Sequence, residues 1–206
     1  MGYIVIIAGV LICLVGVWML NSKQGEEVVA KESKVEVENE VDKNTEDIGA
    51  NNLSENEEKG RAFEAWCVDH FNRKYFQLKE WRGDKIQNGV YAESNRYPDM
   101  EWEFNHKGEC HEFAIECKYR SEFHNGAIVW ADDENIAIYN EFATNRQMDV
   151  FVVIGIGGTA DKPERVFCVP LSKLKYGRAT EEYLKKFEHR NIDDNFYYDF
   201  NKVALY

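Results

Sequence analysis

Apolar and polar residues alternate along the stretch PDMEWEFNHKGECHEFAIECKYR, residues 98–120. Successive side chains point to opposite faces of a β-strand, so this alternation predicts strands with one apolar face. The segment NHKGE in the middle of the stretch is typical of a turn, and the whole pattern predicts a β-hairpin. Asp99 and Glu101 fall on the polar face of its first strand. Glu116 and Lys118 fall on the same face of its second strand.

Helical and extended patterns surround this hairpin. Apolar residues recur at helical spacing from about Glu57 to Lys74, behind a capping-box pattern formed by Ser54 and Glu57. A second helix is predicted to begin after Asp132 or Asp133. Further strands are predicted at YFQLKEW, DVFVVIGIG and RVFCVPLSKL, and an amphipathic closing helix at TEEYLKKFEHR. This order of elements predicts an α/β sandwich with a mixed central sheet.

Eighteen uncharged, largely apolar residues stand near the start of the chain, from Tyr3 to Leu20. As a helix this run reaches roughly 27 Å, close to the thickness of a bilayer core. It lacks the basic start, the shorter apolar run and the small residues of a cleavable signal peptide. Residues 1–22 are therefore predicted to be a transmembrane anchor. Lys23, Lys31 and Lys34 follow the run and no basic residue precedes it, which predicts a single-pass protein with its folded domain in the cytoplasm.

The next segment is strongly acidic. The stretch from Asn21 to Glu58 holds 4 Lys against 12 Asp plus Glu and has no aromatic residue. Such a composition cannot bury enough apolar surface to offset the entropy cost of ordering. Residues 23–56 are therefore predicted to be a flexible tether, and residues 57–206 the folded domain. The whole chain has a net charge of −12, whereas the residues from Lys59 onward carry 21 Lys plus Arg against 25 Asp plus Glu, a net charge of −4.

The predicted hairpin brings two carboxylates and an amine together. Asp99 and Glu116, on adjacent strands and on the same face, would be close enough to share a hard divalent cation. Lys118 lies on that face as well, where its ammonium group would orient a water nucleophile or counter the charge that develops on a phosphate. The alternative, structural interpretation of the same residues is a cross-strand charge pair on the surface.

The dipeptide PD at residues 98 and 99, sixteen intervening residues and ECK at residues 116–118 resemble the PD-(D/E)xK nuclease superfamily. The similarity is to Mrr-like and resolvase-like members and covers about residues 57–174. It implies a restriction-endonuclease-like α/β/α sandwich with a mixed central sheet, here preceded by one transmembrane helix. It also implies Asp99 and Glu116 as ligands of Mg²⁺, for which Mn²⁺ can substitute, with the backbone carbonyl of Cys117 as a further candidate ligand.

The resemblance implies two more roles. Lys118 corresponds to the catalytic lysine, and Glu64 to the acidic residue that the first helix contributes. The second assignment is open, because Glu57 or Glu58 could take that role or the position could be vacant. Glu101, on the same face as the aspartate of the motif, could replace or supplement the helix acid.

These features predict a membrane-anchored, Mg²⁺-dependent nuclease that hydrolyses DNA or RNA on the cytoplasmic side, with a homodimer as one arrangement. The alternative is a catalytically inactive nuclease-fold module that serves as a membrane-bound scaffold for nucleic acid or protein. A hydrolase of another phosphate ester is a third class. The acidity of the domain opposes nucleic-acid binding. Five basic residues before the hairpin are expected to offset it: Arg73, Lys74, Lys79, Arg82 and Lys85.

Overall fold

A computed structural model of the chain describes residues 43–83 and 96–206. The chain divides into two units between Leu53 and Ser54, and the architecture below is that of the second unit. The predicted transmembrane anchor and the predicted tether up to residue 42 lie outside the described residues. No helix within the described ranges is long and apolar enough to cross a membrane.

The central feature is a mixed sheet of five strands in the order β1-β2-β3-β5-β6. Strands β1 and β2, β2 and β3, and β5 and β6 pair antiparallel, whereas β3 and β5 pair parallel. Two short ribbons lie outside it, formed by β4 with β7 and by β8 with β9. In chain order the strands are β1 (Phe76–Trp81), β2 (Met100–His106), β3 (Glu109–Arg120), β4 (Ala127–Val129), β5 (Asp149–Ile156), β6 (Arg165–Pro170), β7 (Arg178–Thr180), β8 (Tyr198–Asp199) and β9 (Ala204–Leu205).

Helices accompany the sheet. The α-helices are α1 (Lys43–Asp69), α2 (Asp133–Arg146) and α3 (Glu181–Leu184), and short 3₁₀ helices occupy Leu171–Lys173 and Lys185–Phe187. The side chain of Asp132 accepts the backbone N–H of Asn135 and so caps α2, as one of the two predicted alternatives has it. The helix α2 connects the parallel strands β3 and β5, the usual solution for a parallel pair.

Both faces of the central part of the sheet are buried, each against a helix, whereas most of β1 is exposed. On one face, the rings of Phe63 and Trp66 from α1 pack with the apolar residues of the hairpin, among them Met100 and Ile115. On the other face, α2 packs Tyr139 and its apolar neighbours over β5 and β6. The predicted alternation in the hairpin and the predicted α/β/α layering with a mixed sheet are therefore confirmed. The central run of β5 is apolar throughout because both of its faces are covered.

Two predictions of helix bounds are wrong. The first helix runs from Lys43 to Asp69 instead of from about Glu57 to Lys74. Ser54 therefore lies within it and is not its N-cap, and the helix extends into the range predicted to be a tether. The capping-box pattern is short enough to occur inside a helix, where each unfavourable residue costs less than about 1 kcal/mol.

The predicted closing helix is also too long. It ends at Leu184 and continues only as a single 3₁₀ turn. Glu188 then forms a bridge with Phe167 in β6, and His189 donates its backbone N–H to the carbonyl of Val166 at 2.8 Å. Pairing with the exposed edge of β6 therefore replaces the helical hydrogen bonds, which in a short helix are marginal by themselves.

Candidate functional site

The backbone ladder of the hairpin ends at Asp99. Met100 pairs with Ile115, so that Asp99 and Glu116 face each other one position further along the two strands. At this point a side chain takes over from the ladder, because Cys117 donates its backbone N–H to Oδ2 of Asp99 across 2.7 Å. Asp99 is only 2% exposed. It is therefore held against the backbone of β3, beside Glu116.

Glu116 lies on the face of β3 that α2 covers, and it is 1% exposed. Its Oε1 accepts a hydrogen bond from the hydroxyl of Tyr139 at 2.7 Å and forms an ion pair with Nζ of Lys118. Its Oε2 has no hydrogen-bond partner among the described residues. A buried polar atom without a partner is costly, so a cation at this oxygen would stabilise the carboxylate.

Lys118 supplies the positive charge of the cluster, and 21% of its side chain is exposed. Burial by itself would lower the pKa of Lys118, but the charges of Glu116 and Asp99 outweigh that effect and the pKa is raised. The pKa of Tyr139 is raised too, mainly because its hydroxyl is buried and then because Glu116 disfavours a second anion beside it. Near neutral pH, Lys118 is therefore an ammonium group and Tyr139 a neutral hydrogen-bond donor.

Arg82 fixes the segment that leads to Asp99. Its backbone N–H donates to the carbonyl of Asp99 at 2.8 Å, and its Nη1 donates to the carbonyl of Pro98 at 2.6 Å. Its Nη2 forms an ion pair with Glu101, and the residue is only 6% exposed. The prediction that Arg82 adds to a basic surface is therefore wrong, because its guanidinium group is buried and its two terminal nitrogens are engaged by Pro98, Glu80 and Glu101.

Glu101 belongs to a network of ion pairs. Besides its pair with Arg82, its Oε1 lies 3.6 Å from Nη2 of Arg146, and the residue is 8% exposed. A buried carboxylate that is already neutralised by guanidinium groups gains little from a further cation. The geometry therefore gives no support to Glu101 as a substitute for the acid of the first helix.

Glu64 lies on the opposite face of the sheet, in the part of α1 that packs on the hairpin. It is 7% exposed, and its Oε2 accepts a hydrogen bond from Nε1 of Trp81 at 2.8 Å. Burial, then the neighbouring thiol of Cys67, and then the charges of Asp99 and Glu64 raise the pKa of the Cys117 thiol. Both carboxylates therefore act on the same buried thiol. The other two candidates on this helix, Glu57 and Glu58, are exposed.

Side chains supply only some of the ligands that a hard cation would need at this cluster. In the described portions of the chain, no three His, Cys, Asp or Glu side chains form a group that could hold a metal ion. The carboxylates of Asp99 and Glu116 remain, together with the carbonyl of Cys117, which in an extended strand points to the same side as its N–H. Mg²⁺ is usually held by one or two carboxylates and keeps several waters. This donor set, with the unpartnered Oε2 of Glu116, fits such an ion.

The other residues of the predicted basic cluster have different surroundings. Arg73 and Lys74 are exposed between α1 and β1. Lys79 is paired with Glu103, with Nζ and Oε2 3.0 Å apart. Lys85 lies outside the described residues. The part of this cluster that the structure describes therefore offers two exposed charges without a carboxylate partner, Arg73 and Lys74, of which Lys74 lies over the ring of Tyr75; this is fewer than predicted.

No protein-family model matches the chain, and no curated protein matches it. Among solved structures, the chain is similar to Hjc of Archaeoglobus fulgidus, a Holliday junction resolvase from an archaeal hyperthermophile. The match covers 62% of this chain and 88% of that chain, at 14% sequence identity and with a TM-score of 0.42.

Proposed function

We propose that this protein is a metal-dependent nuclease that hydrolyses phosphodiester bonds of DNA or RNA. The observation that carries the proposal is the convergence of Asp99, Glu116 and Lys118 where the hairpin ladder ends. Asp99 is bonded to the residue that follows Glu116, and Lys118 is paired with the carboxylate of Glu116. Two buried carboxylates and an amine at one place are what metal-assisted phosphodiester hydrolysis needs.

Each residue has a definite part in this proposal. Asp99 and Glu116 would hold Mg²⁺, or Mn²⁺ in its place, with the carbonyl of Cys117 as a further ligand. Such an ion supplies an acidified water and neutralises charge on the phosphate. Lys118 would place its partly exposed ammonium group against the negative charge that develops on the phosphate. Tyr139 holds Oε1 of Glu116 and so leaves Oε2 free to act as a ligand.

A catalytically inactive scaffold is the second candidate, and the ion pair itself favours it. Because Lys118 already neutralises Glu116, the cluster satisfies much of its charge without any ligand. In that case the ion pair within β3 would only neutralise the buried carboxylate, the hydrogen bond from Tyr139 would join β3 to α2, and the cluster would bind neither metal nor phosphate. The two candidates differ in what happens when Lys118 is removed.

Cleavage by the full chain, purified in a non-ionic detergent, tests the proposal. Supercoiled plasmid, single-stranded DNA and RNA are incubated with Mg²⁺ or Mn²⁺, and rates are compared for wild type, Lys118→Ala and Lys162→Ala. Lys162 is exposed in a loop and serves as a matched control. The proposal expects Lys118→Ala to lose roughly 100-fold or more in rate, with the control unchanged. Equal rates in all three proteins would remove Lys118 from the reaction.

Metal binding separates the nuclease from the scaffold without relying on a substrate. Calorimetric titration with Mn²⁺ is expected to give one binding event in wild type and none in Glu116→Gln, because the amide offers a weaker ligand in place of a carboxylate oxygen. Absence of binding in wild type would favour the scaffold. Binding that persists in the variant would place the metal elsewhere.

The proposal includes attachment to a membrane through residues 3–20, with the nuclease domain in the cytoplasm. Its support is the length and composition of that apolar run and the basic residues that follow it. Membrane fractions washed with alkaline carbonate are expected to retain the full chain and to release a chain that lacks residues 1–22. Retention of the shortened chain would contradict this attachment.

A further inference from the structure

A groove with a volume of about 1110 Å³ lies along the outer edge of β6. Its lining comprises Cys168 and Pro170 of this strand, Lys173 and a number of residues between Lys185 and Tyr206. β6 is an edge strand of the sheet, separated from β3 and its carboxylate by β5. The groove is therefore a different surface from the metal-binding cluster described above, and most of its lining lies beyond the stretch that resembles a known family.

The groove is basic although the folded domain as a whole is acidic. Five basic side chains line it against the acidic Glu188 and Asp194, and Glu188 is already engaged by Arg165, whose Nε lies 2.6 Å from its Oε1. The five basic residues are Lys173, Lys185, Lys186, Arg190 and Lys202.

These five differ in their own surroundings. Nζ of Lys185 lies 3.5 Å from Oε1 of Glu181. Nζ of Lys202 lies 3.1 Å from Oδ2 of Asp199. Lys173, Lys186 and Arg190 are exposed and form no ion pair with any residue that the structure describes. Unpaired cations gathered in a concave surface attract a polyanion, because the potentials of neighbouring charges add.

Two exposed tyrosines stand side by side in the same groove. Tyr197 and Tyr206 exchange both backbone hydrogen bonds, each at 2.9 Å, so they form a directly opposed antiparallel pair whose side chains share one face. Their exposed fractions are 61% and 46%, whereas the next pair, Tyr198 with Leu205, is buried on the other face. The ribbon therefore buries one face in the core and presents two aromatic rings to solvent within the basic groove.

We infer that this groove binds a single-stranded segment of nucleic acid, with its phosphates on Lys186 and Arg190 and its bases on the paired rings of Tyr197 and Tyr206. Proteins that bind single strands combine a positively charged groove with aromatic side chains on which successive bases stack. The inference rests on the proposed function, in that the strand bound here is the substrate of the nuclease.

A polynucleotide fits these observations better than a membrane surface. Anionic lipid would be met by a flat or convex basic face, whereas these charges line a concave groove. Exposed tyrosines in a hydrogen-bonded pair give two flat rings at the spacing of adjacent strand positions, a platform suited to bases. Phosphate groups alone would not account for the rings, and an apolar peptide would not account for the five cations.

Binding is measured without catalysis. Fluorescence anisotropy of labelled oligodeoxythymidylate of about 16 nucleotides, the upper end of the site size of an OB-fold that binds single strands, is recorded with the full chain in non-ionic detergent and EDTA. Lys186→Gln with Arg190→Gln is compared with Lys107→Gln with Lys162→Gln, which removes two exposed charges outside the groove. The groove variant is expected to lose roughly tenfold or more in affinity, and the salt dependence of log K to fall by roughly 1.4 for the two lost phosphate contacts.

The tyrosine pair gives an independent measurement. Tyr197→Ala with Tyr206→Ala is expected to weaken binding by roughly tenfold or more, whereas Tyr197→Phe with Tyr206→Phe keeps the rings and is expected to bind as wild type does. Thermal unfolding of each variant identifies any that has lost its fold. Wild-type affinity in both the glutamine and the alanine variants of the groove would overturn the inference, as would binding to phosphatidylserine vesicles in preference to the oligonucleotide.

The same measurements distinguish this inference from the proposed nuclease activity. Groove-dependent binding without any cleavage in Mg²⁺ would sustain the groove and refute the nuclease. If wild type cleaves nucleic acid but the groove variants bind the oligonucleotide with wild-type affinity, the binding site in the groove is refuted and the nuclease activity is sustained.

Discussion

Asp99 accepts the backbone N–H of Cys117 across 2.7 Å, in the interior of the protein. A carboxylate side chain thus takes the place that a carbonyl of β2 would occupy if the ladder continued. The same carboxylate is a proposed ligand of the metal. The hydrogen bond to Cys117 and the negative charge of Asp99 can be separated by substitutions that keep one and remove the other.

Asp99→Asn and Asp99→Ala are expected to differ in stability but not in metal binding. Asparagine keeps an oxygen that accepts the N–H of Cys117, whereas alanine leaves this buried donor without a partner, at a cost of about 1–3 kcal/mol. Urea unfolding should therefore show a large loss only for the alanine variant. Calorimetry with Mn²⁺ should show no binding to either, because the charge is gone from both. Equal unfolding free energies for the two variants would show that the hydrogen bond is unimportant.

Tyr139→Phe isolates the hydrogen bond from α2 to Glu116. The ring stays in the core, but Oε1 of Glu116 loses a donor at 2.7 Å, so we expect a loss of about 1 kcal/mol in unfolding free energy. Cleavage should fall by less than in Lys118→Ala, because Tyr139 orients Glu116 and does not meet the phosphate. The two rates, measured on the same substrate, check this order. The reverse order would assign Tyr139 a direct part in the reaction.

Arg82→Met is expected to be among the more damaging single changes at the site. It leaves Glu101 buried with only the more distant guanidinium group of Arg146, and breaking one side of a buried ion pair typically costs about 3–5 kcal/mol. Replacing both partners, as in Arg82→Met with Glu101→Met, removes the unpaired charge and should recover much of this loss. Chemical unfolding of the single and double variants tests the coupling. Additive losses would mean that the pair is not coupled.

Stability at alkaline pH should depend on Tyr198. Burial first, and then the charge of Asp149, raise the pKa of this hydroxyl from its ordinary value of 10.0 to about 12. A group with a higher pKa in the folded state stabilises the fold fully below its unfolded pKa, and this contribution is lost as the pH rises through the folded pKa. Between pH 10 and 12, wild type should therefore lose more unfolding free energy than Tyr198→Phe. Parallel curves for the two proteins would contradict this expectation.

The hairpin could be predicted from the sequence because its signal is local. Strict alternation on both sides of a glycine-containing turn fixes the strands, the register and the faces, and with them the positions of Asp99, Glu116 and Lys118. The strands β5 and β6 could also be predicted from their apolar runs. The second predicted strand, RVFCVPLSKL, is too long, because β6 ends at Pro170 and a 3₁₀ helix follows.

The role of Arg82 could not be predicted in the same way. The sequence around a basic residue at the end of a half-exposed strand is the same whether its side chain points to solvent or packs against the next strand. What decides its position is Glu101, nineteen residues later, together with the carbonyl of Pro98. Tyr139 is a similar case, because its hydrogen bond to Glu116 joins a helix to a strand. The spacing of residues within the helix or within the strand does not predict such a contact.

The C-terminal part shows how tertiary pairing overrides helical periodicity. The residues after Leu184 have an amphipathic pattern, yet the chain leaves the helix to pair with the edge of β6. The ribbon of β8 and β9 was missed as well, since strands of two residues carry too short a pattern to be recognised. The paired tyrosines of the groove follow from that ribbon and were therefore invisible in the sequence.

The hydrogen bonds of Arg82 have an evolutionary consequence. Arg82 directly follows β1, and its backbone N–H and its side chain donate hydrogen bonds to the carbonyls of Asp99 and Pro98. These hydrogen bonds join the two ends of the connection between β1 and β2. The entropy cost of lengthening such a connection grows only slowly with its length. Insertions or deletions between residues 83 and 96 should therefore leave the carboxylate of Asp99 in place. The length and sequence of this connection can then change during evolution without loss of the site.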